Sequence, residues 1–522
     1  MSLGRQSERV IIVGAGVGGL ASAITLAAQG LEVEVFERAP TPGGKLREVA
    51  VGDARIDAGP TVFTMRWVFE ELFAAAGTSL EAELPLQPAE VLARHAWSEQ
   101  ERLDLFADQQ RSADAIGQFA GAREAEGFLR FTADARGIFN TLKDAFITNT
   151  RTTPAGLMQR VGIGGIGALM NIRPYSKLWP VLGEYFKDPR LQQLFGRYAT
   201  YCGSSPFLAP ATLMLVAHVE QEGVWLIEGG MHRLARTMAG IAERLGVRIN
   251  YSAPVAEILI EQGRARGVRL DSGETHKAAA VVLNADTAAL GAGLFGHAAT
   301  RALGPTPADK RSLSALTWSL TAETSGFPLV RHSVFFSRDY PKEFQDLLQR
   351  RRLPQEPTVY ICAQDRSDSG QTTAAGYPVT GPERLLCLVN APAIGDRHEF
   401  TSAEINACAE RTVALLSHCG LQLQIHPELI EPTSPTHFNQ LFPASGGALY
   451  GRASHGWLAS FSRPGAHSKV PGLYLAGGST HPGPGLPMAT LSGRLAAQTL
   501  LADLPSISPS RRMATSGGTS TR

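Results

Sequence analysis

Near the start of the chain, residues Arg9–Arg38 read "RVIIVGAGVGGLASAITLAAQGLEVEVFER", and this stretch decides the fold. An apolar run at Val10–Val13 predicts a buried strand, which leads through a glycine loop into a helix rich in Ala and Leu. A second apolar run ends at Phe36 and Glu37 and predicts the next strand. The order of strand, glycine loop, helix and strand predicts an α/β, Rossmann-like unit that binds a dinucleotide.

The glycine loop has the GxGxxG spacing that brings a pyrophosphate close to the backbone. Gly14 allows the tight turn, Gly16 lets the backbone approach the pyrophosphate, and Gly19 lets the helix pack closely on the strand. The helix N-terminus offers free N–H groups and a partial positive charge to the phosphates. Glu37 follows at the spacing where a carboxylate bonds a ribose hydroxyl.

The same glycine spacing occurs again at Gly162–Gly167 and at Gly291–Gly296. The sequence after the first copy predicts no helix of useful length, and the second copy follows a helix-like stretch rather than a strand. Because the spacing needs a strand before it and a helix after it, we predict a single nucleotide site, at the N-terminal fingerprint.

The sequence after Glu37 extends the fingerprint in a way that is not typical of simple NAD dehydrogenases. A glycine pair precedes Lys45, and Asp57–Thr61 reads "DAGPT". An acidic strand end followed by "PGGK" and "DAGPT" resembles the flavin-dependent carotenoid desaturases, which are relatives of the amine oxidases. The resemblance covers the chain from Val10 to about Leu501 and implies that the dinucleotide is FAD.

The resemblance also implies which residues contact FAD. Arg38 and Lys45 would line its pyrophosphate and flavin side. Val255 would lie against the adenine, and Asp286 would lie near the cofactor at the end of a buried strand. The further contacts that it implies are Gly44 in the glycine pair and Gly59, Pro60 and Thr61 in the "DAGPT" loop.

Late in the chain, "GLYLAGGSTHPGPGLPMATLSGRLAAQTLL" (472–501) would supply the last strand, loop and helix of the same domain. Its loop would bring N–H groups of a helix N-terminus toward the flavin ring, where they stabilise negative charge. The predicted contacts are Gly478, Gly485 and Met488, while His481 is either a catalytic base or a structural hydrogen bonder. No cysteine follows Cys419, so we expect FAD to be bound without a covalent link.

The predicted FAD-binding domain is therefore discontinuous, and two insertions build the substrate side. The predicted divisions are 1–75, 223–290 and 455–503 for the FAD domain, 76–222 for a helical substrate and membrane-associating region, 291–454 for a substrate domain, and 504–522 for a disordered tail.

The composition excludes several classes of protein. The formal net charge is +1 and we find no dense basic stripe, so we expect no nucleic-acid partner. Five cysteines without a CxxC pair predict neither a zinc site nor a disulfide framework, and no other metal site is expected. The absence of a signal-like or spanning apolar segment predicts a cytoplasmic protein.

One segment nevertheless points to a membrane surface. Pro154–Phe186 is apolar, rich in glycine and sparsely charged, with Tyr175, Trp179 and Tyr185 near basic residues. Such a composition suits a surface that dips into the membrane interface, although a buried helical pair explains it nearly as well. We expect the protein to lie peripherally at the inner face of the membrane.

The resemblance is closest to the 1-hydroxycarotenoid 3,4-desaturases, the hydroxyneurosporene or methoxyneurosporene dehydrogenases of spheroidene and spirilloxanthin synthesis in photosynthetic bacteria. The segments that carry it are 45–77, which contains "TMRW", and 94–108, which begins "RHAW". It implies a long apolar carotenoid substrate and a new C3–C4 double bond. A polar group should grip the substrate hydroxyl, and His95 is the residue we would test first.

The sequence leaves other points open. His218, Glu220 and His481 are candidates for the catalytic base, and spacing favours none of them, so the catalytic residue is unassigned. The electron acceptor, oxygen or quinone, and the oligomeric state are also open. The alternatives are a phytoene desaturase and a redox-neutral carotene isomerase. An amine oxidase is disfavoured because Tyr201–Glu222 offers few aromatic residues for an amine cage, and a non-catalytic carotenoid carrier would not need the flavin loop.

Overall fold

The computed structural model describes residues 9–150, 153–161, 167, 172–367, 370 and 381–504. The strands are β1 (Val10–Val13), β2 (Val33–Phe36), β3 (Glu48–Val51), β4 (Ala54–Asp57), β5 (Leu86–Pro88), β6 (Val91–Ala96), β7 (Arg102–Phe106), β8 (Trp225–Ile227), β9 (Arg248–Asn250), β10 (Val255–Glu261), β11 (Arg264–Leu270), β12 (Thr275–Lys277), β13 (Ala280–Leu283), β14 (Ser314–Ser325), β15 (His332–Phe335), β16 (Val359–Ala363), β17 (Glu383–Ala391), β18 (Gln422–Thr433) and β19 (Leu473–Leu475).

The helices are α1 (Val17–Ala27), α2 (Trp67–Ala75), α3 (Leu80–Glu83), α4 (Gln109–Ala120), α5 (Ala122–Leu142), α6 (Pro154–Val161), α7 (Leu178–Tyr185), α8 (Pro189–Gly196), α9 (Leu215–Gln221), α10 (His232–Arg244), α11 (Thr287–Gly291), α12 (Tyr340–Gln345), α13 (Ser402–His418), α14 (Pro435–Leu441) and α15 (Leu486–Asp503).

A parallel sheet with the strand order β19-β13-β1-β2-β9 forms the centre of the nucleotide-binding part. Its three middle strands are fully buried, which explains why they are apolar throughout rather than alternating. All five strands come from the three segments that the sequence assigned to the FAD domain. The two ends of the chain therefore meet in one sheet.

Helices α1 and α15 pack against each other at glycine. The Ser22 hydroxyl donates a hydrogen bond of 2.9 Å to the carbonyl oxygen of Gly493. A Cβ at Gly493 would lie 2.0 Å from the carbonyl oxygen of Gly18, so the contact has no room for a side chain there. This close approach holds the glycine loop of the first strand beside the glycine-proline loop of the last.

Two local features of the structure have a recognisable signal in the sequence. Strands β10 and β11 form an antiparallel hairpin, and its turn residues Gln262 and Gly263 both have positive φ. The glycine-spaced stretch Gly291–Gly296 follows the short helix α11 rather than a strand, as predicted. Of the other such stretch, Gly162–Gly167, only Gly167 lies within the described residues.

A seven-stranded sheet with the order β18-β14-β17-β16-β15-β6-β7 faces the nucleotide-binding part. The hairpin β6–β7 lies within 76–222, which the sequence assigned to a helical region, yet it pairs with β15 at the edge of this sheet. Strand β7 alternates in burial, whereas β6 is buried at four of its six residues, and both strands satisfy their backbone groups by pairing in the sheet. Helix α13 covers the opposite face of the sheet.

The segment 154–186 divides into exposed and buried parts. Helix α7 contributes Leu178 and Leu182 to the core, and Trp179 packs on Phe207 with ring centroids 4.6 Å apart. Tyr175, in contrast, is exposed. Residues 162–166 and 168–171 of this segment, and 505–522 of the predicted tail, lie outside the described residues. In the part of the chain that the structure describes, no helix has the length and apolar character needed to cross a bilayer.

Candidate active site

A cavity of about 980 Å³ lies between the two large sheets. On one side it is bounded by the loops at the carboxyl ends of β1, β2, β13 and β19, where open parallel sheets bind their ligands. On the other side its floor is formed by β14, β16 and β17. The cofactor residues predicted from the sequence line this cavity, with one exception: Gly14, Gly16, Glu37, Arg38, Gly44, Lys45, Gly59, Pro60, Thr61, Val255, Asp286, Gly478, Gly485 and Met488 line it, and Gly19 does not.

Gly19 lies behind the loop, where it sets the packing of α1 on the first strand. A Cβ at Gly19 would lie 2.0 Å from the carbonyl oxygen of Gly14. Gly14 itself has φ +99°, a conformation that other residues rarely adopt. Gly14 thus forms a tight turn and Gly19 lets the helix pack closely on the strand, which are the roles that the spacing predicts.

Asn284 occupies the centre of the glycine loop. Its backbone N–H donates to the carbonyl oxygen of Val13, and its side-chain Nδ2 donates to that of Ala476 at 3.2 Å. A Cβ at Gly16 would lie 2.8 Å from its Oδ1. Asn284 thus joins the ends of three neighbouring strands. The resemblance placed the end of this strand near the cofactor through Asp286, and nothing local in the sequence marks the contacts of Asn284.

Two helix N-termini open onto the cavity without a side-chain cap. The N-terminal flanking residues are Gly16 for α1 and Gly485 for α15, and no side chain of the described residues accepts a hydrogen bond there. Ser, Thr, Asp or Asn usually fills this position and occupies the first N–H groups. Here those donors stay available to an anion, and the partial positive charge of each helix end is directed into the cavity. The arrangement fits the pyrophosphate of a dinucleotide at α1.

Glu37 is held rigidly at the edge of the cavity. One carboxylate oxygen accepts a hydrogen bond from the Ala15 N–H at 2.6 Å, and the other accepts from the Ala39 N–H at 2.8 Å. The side chain is buried, but each oxygen retains a further lone pair. Arg38 is exposed at the rim, and Val255 begins β10 on the same side. These positions fit a ribose and an adenine.

Two cations lie beside the cavity near Asp286. Lys45 donates to the carbonyl oxygen of Leu449 at 2.7 Å, and its Nζ lies 3.7 Å from Asp286 Oδ2. Burial lowers the pKa of Lys45, and the Asp286 carboxylate partly offsets that effect. Asp286 caps α11 with Oδ1, while its buried Oδ2 has no hydrogen-bond partner among the described residues. Arg463 is buried nearby, and burial lowers its pKa to about 10. No local pattern in the sequence indicated Arg463.

These features agree with known proteins. Residues 17–501 match the family described as flavin containing amine oxidoreductase. The chain belongs to this family. A hydroxyneurosporene desaturase from Rubrivivax gelatinosus is 54% identical to it, over 99% of this chain and 98% of the relative. A hydroxyneurosporene desaturase from Cereibacter sphaeroides is 43% identical, over 95% and 98% respectively. The resemblance, the oxidoreductase class and the FAD cofactor predicted from the sequence are confirmed.

The fold of this chain also resembles that of a solved oxidoreductase structure. An oxidoreductase from Methanosarcina mazei superposes with a TM-score of 0.57 and 17% identity, covering 95% of this chain and all of that one. The predicted α/β fold with its Rossmann-like domain is confirmed.

The three candidate bases of this flavin oxidoreductase lie in different places. His481 is buried outside the cavity lining, where its Nε2 lies 3.0 Å from the carbonyl oxygen of Phe146. Burial lowers the pKa of His481 to about 4. His218 is likewise buried outside the lining and packs on Phe139, and burial lowers its pKa. Glu220 alone of the three lines the cavity.

His95, the residue chosen from the sequence to grip a substrate hydroxyl, does not line the cavity. It lies in register with Val334 on the sheet, stacks on Phe336 at 6.0 Å, and has Nδ1 3.2 Å from the carbonyl oxygen of Leu103. Burial lowers its pKa to about 3. The side chain is therefore neutral and packed beneath an aromatic ring, which removes the reason for choosing it.

A polar cluster lines the cavity instead, and Glu220, a candidate base, is the member of it that the sequence indicated. Arg197 donates to the Tyr201 hydroxyl at 2.9 Å, and Tyr201 donates to Glu220 at 3.1 Å. Tyr198 also donates to Glu220. Burial lowers the pKa of Arg197, but the tyrosines and Glu220 outweigh burial and hold the pKa above its usual value. The guanidinium also lies over the Tyr360 ring, 5.5 Å from its centroid.

The same cluster reaches the "DAGPT" loop. The Tyr360 hydroxyl lies 2.6 Å from Thr61 Oγ1 and 2.7 Å from Nδ1 of His332. The loop begins at Asp57, whose carboxylate accepts hydrogen bonds from the Met231 and His232 N–H groups at the start of α10. Asp57 therefore fixes the loop in position, and Thr61 presents its hydroxyl to the cavity floor.

Proposed function

We propose that this protein is an FAD-dependent carotenoid desaturase that introduces a C3–C4 double bond into carotenoids with a 1-hydroxy end group. The observation that carries the proposal is the identity of 54% and 43%, over nearly full length, to two proteins named hydroxyneurosporene desaturase. The cavity supports it, because one continuous space joins the dinucleotide loops to a wall of apolar side chains.

The apolar wall suits a long hydrocarbon. It includes Leu142, Phe146, Leu213, Val216, Val219 and Leu386. Apolar contact binds such a chain without fixing its position along the cavity, so orientation must come from a few polar groups. Orientation matters here because the reaction requires one particular CH2–CH2 bond to face the flavin.

The reaction removes two hydrogens from adjacent carbons. Bound FAD would supply the acceptor for a hydride from one CH2 group, a proton would leave the other CH2 group, and the single bond between the two carbons would become a double bond. The uncapped N-terminus of α15 directs N–H donors into the cavity, where they stabilise negative charge. Lys45 and Arg463 add positive charge on the same side.

The roles of the predicted cofactor residues belong to the same proposal. Gly14, Gly16 and the N-terminus of α1 would hold the pyrophosphate, and Glu37 the ribose. The Gly59–Pro60–Thr61 loop, Gly478 and Met488 would lie along the flavin. What supports these roles is that all these residues share one cavity.

The test of the activity is to offer purified, FAD-loaded protein 1-hydroxyneurosporene and phytoene separately and to record product spectra. We expect the chromophore of the hydroxylated substrate to gain one double bond while phytoene stays unchanged. Stepwise conversion of phytoene toward lycopene, without preference for the hydroxylated substrate, would favour the phytoene desaturase alternative. A spectral change without loss of hydrogen would favour the isomerase.

We further propose that the protein binds the membrane surface around the cavity mouth. Met158, Tyr175 and Trp457 line the cavity and are 60%, 72% and 42% exposed. The rings of Tyr175 and Trp457 are 5.1 Å apart, and Leu458 next to them is also exposed. Large apolar side chains at an opening suit insertion into a lipid interface, from which a carotenoid would enter without crossing water. This surface combines part of the predicted segment 154–186 with residues 457–458, which the sequence did not indicate.

A further inference from the structure

Arg197 and Glu220 stand out because they place a guanidinium group and a carboxyl group in the wall of a largely apolar cavity. Both line the cavity, and the Tyr201 hydroxyl lies between them. Among the described residues, Arg197 donates one hydrogen bond, to Tyr201, although a guanidinium carries five N–H donors. Glu220 accepts from two tyrosines and keeps further lone pairs. The pair therefore has hydrogen-bonding capacity left for a ligand.

We infer that Arg197 and Glu220 hold the terminal hydroxyl of the substrate, Arg197 as donor to its oxygen and Glu220 as acceptor of its proton. Tyr201 and Tyr198 are positioning residues, since their hydroxyl groups fix the carboxylate. This inference rests on the proposed function, because it assumes that the substrate carries a hydroxyl.

The position of the pair fits the reaction. In a 1-hydroxycarotenoid only two bonds separate C1 from C3, so the group that binds the hydroxyl must lie beside the bond that faces the flavin. Tyr360 connects the pair to that place, since its ring lies under Arg197 and its hydroxyl contacts Thr61 of the predicted flavin loop. A hydroxyl site at the far end of the apolar wall would place a different bond at the flavin.

The chemistry of the pair also predicts which substrate end groups the site rejects. A hydroxyl both accepts and donates, so it satisfies Arg197 and Glu220 together. A methyl ether at the same carbon accepts but cannot donate, and an end group without oxygen does neither. Because an unpaired buried polar group costs free energy, a site built for a hydroxyl discriminates strongly against analogues that lack one. The order of preference should be hydroxy, then methoxy, then hydrocarbon.

The test measures kcat/KM for 1-hydroxyneurosporene, 1-methoxyneurosporene and neurosporene in the FAD-loaded full chain. The Arg197→Met variant removes the donor, and Tyr201→Phe removes the hydroxyl that joins the pair. Tyr340→Phe is the matched control. It deletes a buried hydroxyl near Arg197 that lacks a hydrogen-bond partner among the described residues and does not line the cavity. Flavin content per chain reports whether each variant folds.

We expect the hydroxy-over-hydrocarbon ratio of kcat/KM to fall about tenfold to a hundredfold in Arg197→Met and by a smaller factor in Tyr201→Phe. Tyr340→Phe should keep the wild-type ratio, and Arg197→Lys should restore part of the preference. If Arg197→Met fails to bind flavin, Tyr201→Phe and Arg197→Lys decide the question.

Equal loss of activity toward all three substrates, with the ratio unchanged, would overturn the inference and leave the cluster a structural role. That failure is distinct from failure of the proposed function. In the latter case the wild-type protein itself would show no preference for the hydroxylated substrate, whatever the variants do.

Discussion

Replacing Glu37 with Gln tests the nucleotide site through a change of one atom. The carboxylate accepts the Ala15 N–H with one oxygen and the Ala39 N–H with the other, at 2.6 and 2.8 Å. In glutamine one of these oxygens becomes an NH2 group, which faces a backbone donor and cannot accept from it. The variant thus loses a loop hydrogen bond and the charge offered to the ribose.

The magnitude follows from the bonds that are lost. A hydrogen bond to a charged group contributes about 1.5–3 kcal/mol, so loss of the ribose contact should raise the Kd for FAD roughly 10- to 150-fold. The orphaned loop N–H costs about 1–3 kcal/mol in addition, and this part appears in the stability of the apo protein. Turnover at saturating FAD should change much less.

The assay is titration of apo protein with FAD, followed by quenching of flavin fluorescence. Glu34→Gln is the matched control, because Glu34 is buried on β2, which Glu37 directly follows, but pairs with Arg9 and Arg248 and does not line the cavity. An unchanged Kd in Glu37→Gln, or an equal increase in Glu34→Gln, would refute the assignment of Glu37 to the ribose.

Other changes test the remaining parts of the molecule. Gly16→Val should yield largely apo protein, because a side chain there occupies the space of the pyrophosphate; a normal flavin content after purification would show that the site is misplaced. Acid precipitation should release all flavin into the supernatant, since we expect no covalent link; flavin retained in the pellet would contradict this. Burial raises the pKa of Glu343 to about 7 from a usual 4.5, so the unfolded chain releases this proton at a lower pH than the folded protein does. The wild-type protein should therefore lose about 3 kcal/mol of stability relative to Glu343→Gln as the pH rises from about 4.5 to about 7. Parallel pH profiles of unfolding for the two proteins would contradict this prediction. Trp457→Ser should weaken sedimentation with liposomes, whereas Val413→Ser, which alters an exposed apolar residue on α13, should not; equal binding by both variants would argue against the proposed membrane surface.

The nucleotide side of the molecule was predictable because its signals are local. Gly14, Gly16 and Glu37 lie within one βαβ unit, where spacing alone places a loop and an acidic strand end at the same edge. The turn at Gln262–Gly263 is likewise encoded by adjacent residues. Such features depend on backbone geometry, which a short sequence determines.

The substrate side was not predictable in the same way. Arg197 and Glu220 meet through the Tyr201 hydroxyl only after the helices between them have packed, and no periodicity indicates that contact. His95 is the opposite case, a residue that the sequence indicated and that does not line the cavity. Its neighbourhood in the sequence drew attention to it, but the pairing of β6 with β15 places it beneath Phe336. Side-chain contacts between distant segments depend on tertiary packing, which local patterns do not report.

The proposed reaction takes one hydrogen from C3 and one from C4 of a 1-hydroxycarotenoid and passes one of them, as a hydride, to the flavin. The most direct test is a single anaerobic turnover with 1-hydroxyneurosporene that carries two deuterium atoms at each of these carbons. We predict that flavin absorbance is bleached in proportion to product, and that mass spectrometry finds one deuterium remaining at C3 and one at C4. A product that retains all four labels, or that forms without bleaching of the flavin, would rule out hydride transfer to the flavin from these carbons.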